Sequence, residues 1–177
     1  MTKSYLESVK HQLEYYKALG EKTFAQLSDE QLFWQYDPQS NSIATIVKHL
    51  SGNMISRWTD FFTTDGEKEN RNRESEFDND LQSRAELLRC WDAGWKCFLT
   101  VVYDLKETDL AREILIRHEK HSVTEALNRQ LAHYPYHIGQ IVFIGKMLCS
   151  ESWTSLSIPR GGSNAFNQVK ENQSKIR

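Results

Sequence analysis

The chain has 177 residues, enough for one domain with a substantial core, and its longest apolar stretches fall far short of a membrane span. A net charge of −2 supplies no basic field for nucleic acid or an anionic membrane, and no basic-then-apolar start marks a signal peptide. Three cysteines (Cys90, Cys97 and Cys149), an odd number without a Cys-x-x-Cys pair, predict reduced thiols and a cytoplasmic location.

The first long helix is expected from Ser4 to Leu27. Its apolar stripe is Leu6, Val9, Leu13, Tyr16, Gly20, Phe24 and Leu27, spaced by threes and fours. Gly20 within it is either a weak point or a point of close packing. Ser28-Asp29-Glu30-Gln31 reads as a cap and a short extra turn. After a loop from Asp37 to Ser42, Asn41 or Ser42 caps a second long helix with stripe Ile43, Ile46, Leu50, Met54, Trp58 and Phe61.

From Thr63 to Asp80 charge, Asn and Gly dominate, which predicts a long solvated connection. A third long helix is expected from about Leu81 to Leu105, through Ala85, Leu88, Trp91, Trp95, Phe98 and Val102. Glu113 to Arg117 alternates polar and apolar residues briefly and reads as a short strand, with Val123 as its pairing partner across His118 to His121. Ser122 and Glu125 form a Ser-x-x-Glu capping box that opens a fourth helix, ending near Cys149. The tail from Ser150 is polar, and its last ten residues are expected to be mobile.

Four amphipathic helices and very little strand predict an all-α fold, a four-helix bundle in one domain over 1–177. The strand-like excursion near 113–123 and the polar tail over 150–177 are its departures. The long connection lets the second and third helices run in the same sense.

The segment from Leu131 to Ile141 contains His133 and His137, four residues apart. On a helix that spacing brings both imidazoles out of one face, about 6 Å apart along the axis, where both can reach one transition-metal ion. Tyr134 stands where the zincin motif places its glutamate base, so the segment is not that motif. Catalytic zinc takes three protein ligands, so a third is needed. His49, beside Leu50 and three residues after Ile46, faces the interior. Taken alone it also reads as a core histidine with satisfied hydrogen bonds. His121 is the weaker candidate, and His11 and His118 read as solvated. Pro135, between the pair, either ends the helix or kinks it, leaving the Leu131 carbonyl unpaired. The continuing stripe Ala126, Gln130, His133, His137, Ile141, Ile144 and Leu148 favours the kink.

Ile46-Val47-Lys48-His49-Leu50, Glu119 with the following Ser-Val-Thr-Glu-Ala-Leu, and Asn128-Arg129-Gln130-Leu131-Ala132-His133 with His137-Ile138-Gly139-Gln140-Ile141 resemble the DinB/YfiT-like superfamily of metalloproteins. The tail Leu156-Ser157-Ile158-Pro159-Arg160-Gly161-Gly162-Ser163 with Phe166-Asn167 is similar to one branch, the DUF1572 group, and the likeness covers nearly the whole chain. The resemblance implies a bundle in up-down-down-up order and a divalent metal, zinc or nickel, on His49, His133 and His137. It also implies homodimers. Some relatives are thiol-S-transferases that join a low-molecular-weight thiol, such as bacillithiol or mycothiol, to electrophiles; others are isomerases.

A metal on three imidazoles keeps an open position and can lower the pKa of bound water or deprotonate a thiol. Gln130, Asn53 and Gln140 are placed by helical spacing to fix the imidazole tautomers, unless they are ordinary inter-helix polarity. Arg160 reads either as a carboxylate binder or as a solvated tail arginine. Trp91 and Trp95 read as core, with pocket lining as the alternative. No general base and no catalytic residue is identified. The functional classes left open are a metal-dependent thiol transferase or hydrolase, a non-catalytic metal-binding or stress-related homodimer, and a structural dimer with vestigial histidines.

Overall fold

A computed structural model describes residues 4–175. It contains six α-helices and a two-stranded sheet: α1 (Tyr5–Phe24), α2 (Asp29–Phe33), α3 (Ile43–Trp58), α4 (Arg84–Asp104), β1 (Glu113–Ile116), β2 (Glu119–Ser122), α5 (Val123–Cys149) and α6 (Ser163–Lys175). Local chemistry sets the helix starts. The side chains of Ser4, Ser28, Ser42, Ser83 and Ser122 each accept from a backbone N–H of the first turn. At Ser4, Ser28 and Ser122 the residue three places on reaches back to complete a capping box. At the other end of α1, Arg84 donates to the Phe24 and Leu27 carbonyls at 3.0 and 2.6 Å. The Phe24 carbonyl also accepts from the Leu27 N–H at 3.2 Å, so Arg84 adds a second donor there and supplies one to the Leu27 carbonyl past the helix end.

Helices α1, α4 and α5 bury one stripe each, whereas α3 is buried on nearly every side, with Lys48, Gly52 and Ile55 the exceptions. Helix α3 packs against α4 and α1 against α5, with smaller α3–α5 and α1–α4 contacts. An aromatic seam ties them together. Trp91 of α4 meets Phe24 of α1 edge-on at 5.0 Å, Trp58 of α3 lies 4.6 Å from Phe98, and Phe98 meets Tyr134 of α5 at 5.1 Å. Gly20 is a point of close packing, since a Cβ there would sit 2.5 Å from Trp91 Cη2. Gly94 does the same for α3 and α4, its Cβ falling 2.7 Å from the Ser51 Cα.

Two sequence expectations need correction in register. In α4 the buried face runs through Leu87, Trp91, Gly94, Trp95, Phe98 and Val102, while Ala85 and Leu88 face solvent. In α5 the core positions are Leu127, Gln130, Tyr134, Ile138, Ile141 and Gly145, so His133, His137, Ile144 and Leu148 flank the stripe, half-buried. The polar tail carries a helix over 163–175, and of its last ten residues 176 and 177 lie outside the described residues. Helix α5 itself runs through Pro135 without interruption.

The expected strand is present, but its partner is Glu119–Ser122, and Val123 starts α5. Arg117 and His118 form the two-residue turn, both with positive φ (54° and 65°), as a mirror-image hairpin turn requires. Asp65 accounts for this strained pair of non-glycine residues. Its carboxylate accepts from the backbone N–H of Arg117 at 2.8 Å and of His118 at 2.7 Å.

That contact also revises the reading of 63–80 as a solvated connection. The segment docks. The Gly66 N–H donates to the Leu115 carbonyl at 2.8 Å, and Lys48 of α3 holds Asp80 at 2.6 Å and also the Ser75 carbonyl. The short 3-10 turn Glu74–Phe77 packs on α3 and buries Glu76 to 5 % exposure.

Candidate metal centre

His49 enters the site from α3, in the middle of the run that buries Ile46 and Leu50. His133 and His137 enter from α5, one helical turn apart. The three Nε2 atoms converge. His49 Nε2 stands 3.4 Å from His133 Nε2, and His137 Nε2 stands 3.1 Å from it. All three donors lie within 4.8 Å of one another. Zinc–imidazole bonds of about 2.0–2.1 Å at tetrahedral angles place neighbouring nitrogens about 3.4 Å apart. The two short separations are of that size.

His49 Nδ1 faces Glu76 Oε2 at 3.0 Å, so it carries the proton and leaves Nε2 as a bare lone pair. His137 Nδ1 faces Gln140 Oε1 at 2.8 Å, so its Nε2 is a lone pair too. Both lone pairs point at His133 Nε2. That atom carries one proton at most and satisfies only one of them. A divalent cation satisfies all three. Protonating the rings is not an escape. Burial, then the neighbouring His137 and His49, push the His133 pKa down to about 3, and burial also lowers that of His137 against the hydrogen bond it donates to Gln140.

Glu76 is the functional residue that sequence reasoning missed, and Arg71 fixes it. Arg71 Nε donates to Glu76 Oε1 at 2.7 Å and Nη2 to Oε2 at 2.9 Å, with both side chains almost fully buried. Burial raises the Glu76 pKa, but the hydrogen bonds from His49 and Arg71 and the guanidinium charge outweigh it and hold the carboxylate ionised. This is a carboxylate–histidine relay of the kind that orients metal ligands. Phe77, from the same turn, stacks on the His49 ring at 5.0 Å. One signal for Glu76 was present in the sequence. Gly52 is a helix-interior glycine one turn after His49, and a Cβ there would strike Glu76 Oε1 at 2.4 Å.

A family model described as "Protein of unknown function (DUF1572)" matches residues 1–162. The chain belongs to the DUF1572 family. No curated protein and no solved structure matches it. The DUF1572 match takes in all three histidines and the Glu76 turn and stops one residue short of α6.

The other sequence candidates of this DUF1572 chain separate cleanly. Gln140 fixes an imidazole as expected. Asn53 instead accepts from the Tyr134 hydroxyl at 3.2 Å, and the buried Gln130 Oε1 has no hydrogen-bond partner. His121 lies on β2, outside the cluster; His118 occupies the hairpin turn with its side chain 96 % exposed, and His11 is exposed on α1. Trp91 and Trp95 are core, at 2 % and 1 % exposure. Arg160 is an exposed tail residue. All three cysteines are free. Among the described residues no helix is long and apolar enough to cross a membrane.

Proposed function

We propose that this chain is a metal-dependent enzyme of the DinB/YfiT-like type, acting on small electrophiles as a thiol-S-transferase. In this reading the four long helices form a four-helix bundle in up-down-down-up order. His49, His133 and His137 hold a divalent ion, zinc or nickel. A divalent ion so held lowers the pKa of a thiol or water that reaches it. The protein's own part is to keep three imidazoles neutral and aimed. Glu76 retains the proton on His49 Nδ1, Gln140 retains that on His137 Nδ1, and Arg71 immobilises Glu76. Glu76 is not a free general base, because both of its oxygens are occupied by Arg71 and His49.

The observation that carries the reading is the pair of imidazole lone pairs aimed at a third nitrogen. The alternative is a non-catalytic metal-binding or stress-related homodimer. Two features favour catalysis. The cluster offers three protein donors and no fourth among the described residues, and two of its histidines are half-buried, not sealed. A cavity of about 650 Å³ adjoins Glu76 and Arg71 but is lined by none of the histidines, so it does not serve as the reaction space. A homodimer, with cytoplasmic location, completes the proposal. Exposed Tyr136, Phe143 and Met147 on one side of α5 suit a contact between copies. The test is elemental analysis of protein purified without chelator, followed by a panel of low-molecular-weight thiols and electrophiles. One ion per chain and metal-dependent conjugation are expected. Metal with no turnover across the panel favours the non-catalytic alternative, and absence of any ion rejects both.

A further inference from the structure

Beside the histidines lies a second, smaller cavity of about 200 Å³. His49 and His133 form one wall. The remainder is dominated by Arg57, Arg71, Arg73, Arg117 and Arg129, with Asn53 and Gln130 between them and no carboxylate on the lining. These arginines come from α3, the docked segment, the hairpin turn and α5, so only the folded chain gathers them.

Their partners do not balance them. Glu76 and Glu67 serve Arg71, and Glu67 also meets Arg117 at 3.2 Å. Arg73 and Arg129 have no ion pair among the described residues. Arg57 is the informative one. Only 3 % of it is exposed, yet its Nε and Nη1 have no hydrogen-bond partner. Its Nη2 stands 3.9 Å from Glu67, beyond hydrogen-bond range. An arginine does not shed its proton to escape this position, and a buried unpaired guanidinium is costly. The position is nonetheless built. The chain passes over the Arg57 stem at Gly66, where a Cβ would fall 2.9 Å from Arg57 Cδ. Burial followed by the charge of Arg129 lowers the Arg57 pKa, and the Glu67 carboxylate only partly opposes this.

We propose that this cavity is an anion subsite that holds the carboxylate or phosphate end of the small-molecule substrate. Its volume is below that of a typical whole-ligand pocket, so it takes one end of a molecule. Arg57 and Arg71 form a buried floor, and Arg73, Arg117 and Arg129 an exposed, attracting rim. Planar guanidinium forks match both oxyanions. Because His49 and His133 close one wall, a molecule anchored there projects its other end toward the three Nε2 atoms. The role as substrate anchor rests on the metal-dependent reading above; the anion subsite itself does not.

The test titrates inorganic phosphate, and separately succinate, into the wild type and into Arg57→Gln, Arg129→Gln, Arg160→Gln and His137→Ala, with metal content measured on each sample. Saturable binding to the wild type is expected, weakened about tenfold or more in Arg57→Gln and Arg129→Gln, as loss of a charge-assisted hydrogen bond implies. Arg129 is exposed, so that variant stays informative if Arg57→Gln fails to fold. Arg160→Gln and the metal-depleted His137→Ala should bind as the wild type does. The tighter of the two probes identifies the oxyanion. Affinity unchanged in both arginine variants overturns the subsite. So does binding that vanishes in His137→Ala, because the anion then sits on the metal. Arginine-dependent binding to wild-type protein that carries no metal supports the subsite and rejects the metal-dependent reading.

Discussion

His49 differs from an ordinary core histidine through Glu76, whose carboxylate holds the proton on Nδ1 and leaves Nε2 as a lone pair aimed at the His133 nitrogen. Glu76→Gln keeps the shape and removes the charge. Metal affinity, measured by chelator competition, should fall between about 10- and 100-fold, as partners of this kind show elsewhere, with helicity unchanged. Equal affinity in variant and wild type would contradict the relay. The same residues set a pH dependence. Burial lowers the His133 pKa to about 3 and also lowers that of His137, and the Glu76 pKa lies below its ordinary value on balance. For each group the unfolded chain takes up its proton first as pH falls. The stability they contribute is therefore complete above about 6.5 and is lost progressively toward about pH 3. Metal-free protein should show a denaturant midpoint that is flat from pH 8 to 7 and falls by pH 5. A flat profile through pH 5 would mean that these rings are not buried as neutral groups.

Two glycines at the element scale have different duties and separable effects. Gly94 lets α4 approach the α3 backbone at Ser51. Gly94→Ala should cost about 1–3 kcal/mol of unfolding free energy through overpacking, read as a lower denaturant midpoint. Gly52 faces the Glu76 carboxylate instead. Gly52→Ala gains about 1 kcal/mol of helix propensity, yet should weaken metal binding, because the new methyl displaces Glu76 from His49. Retained metal affinity in Gly52→Ala would show that the Glu76 turn is not needed for the site. The hairpin belongs to the same system, since Asp65 anchors both turn residues and brings Arg117 to the arginine cavity.

Over the whole molecule, the hydrophobic seam and the histidine cluster are separate structures. Leu13, Leu50, Phe98, Ile138 and Ile141 are almost fully buried, so the transfer of apolar surface sustains the helical fold without the ion. His137→Ala should thus lose most of its metal while keeping its helical circular dichroism, and conjugating activity should vanish in it and in His49→Ala. His11→Ala and His118→Ala should match the wild type in metal content, helicity and turnover, because both side chains lie outside the cluster. Full activity in metal-free His137→Ala would exclude a metal-dependent reaction.

What the sequence determined by itself is what short-range geometry governs. Threes and fours of apolar residues define α1 and α3, Ser122 with Glu125 opens α5, and the four-residue spacing puts His133 and His137 on one helix face. None of these needs knowledge of a distant residue. Stripe phase is different. Leu87 and Leu88 are equally apolar, and the close approach at Gly94 and the aromatic seam decide that Leu87 turns inward. The docked segment was the least legible. Its charge density reads as solvation because single-chain composition counts charges without their partners. Glu76 is buried only because Arg71 and His49, the latter 27 residues away, satisfy both of its oxygens. Arg57 and Arg129 share a cavity for the same reason: convergence of helices and loops, which no local spacing encodes, brings their charges together.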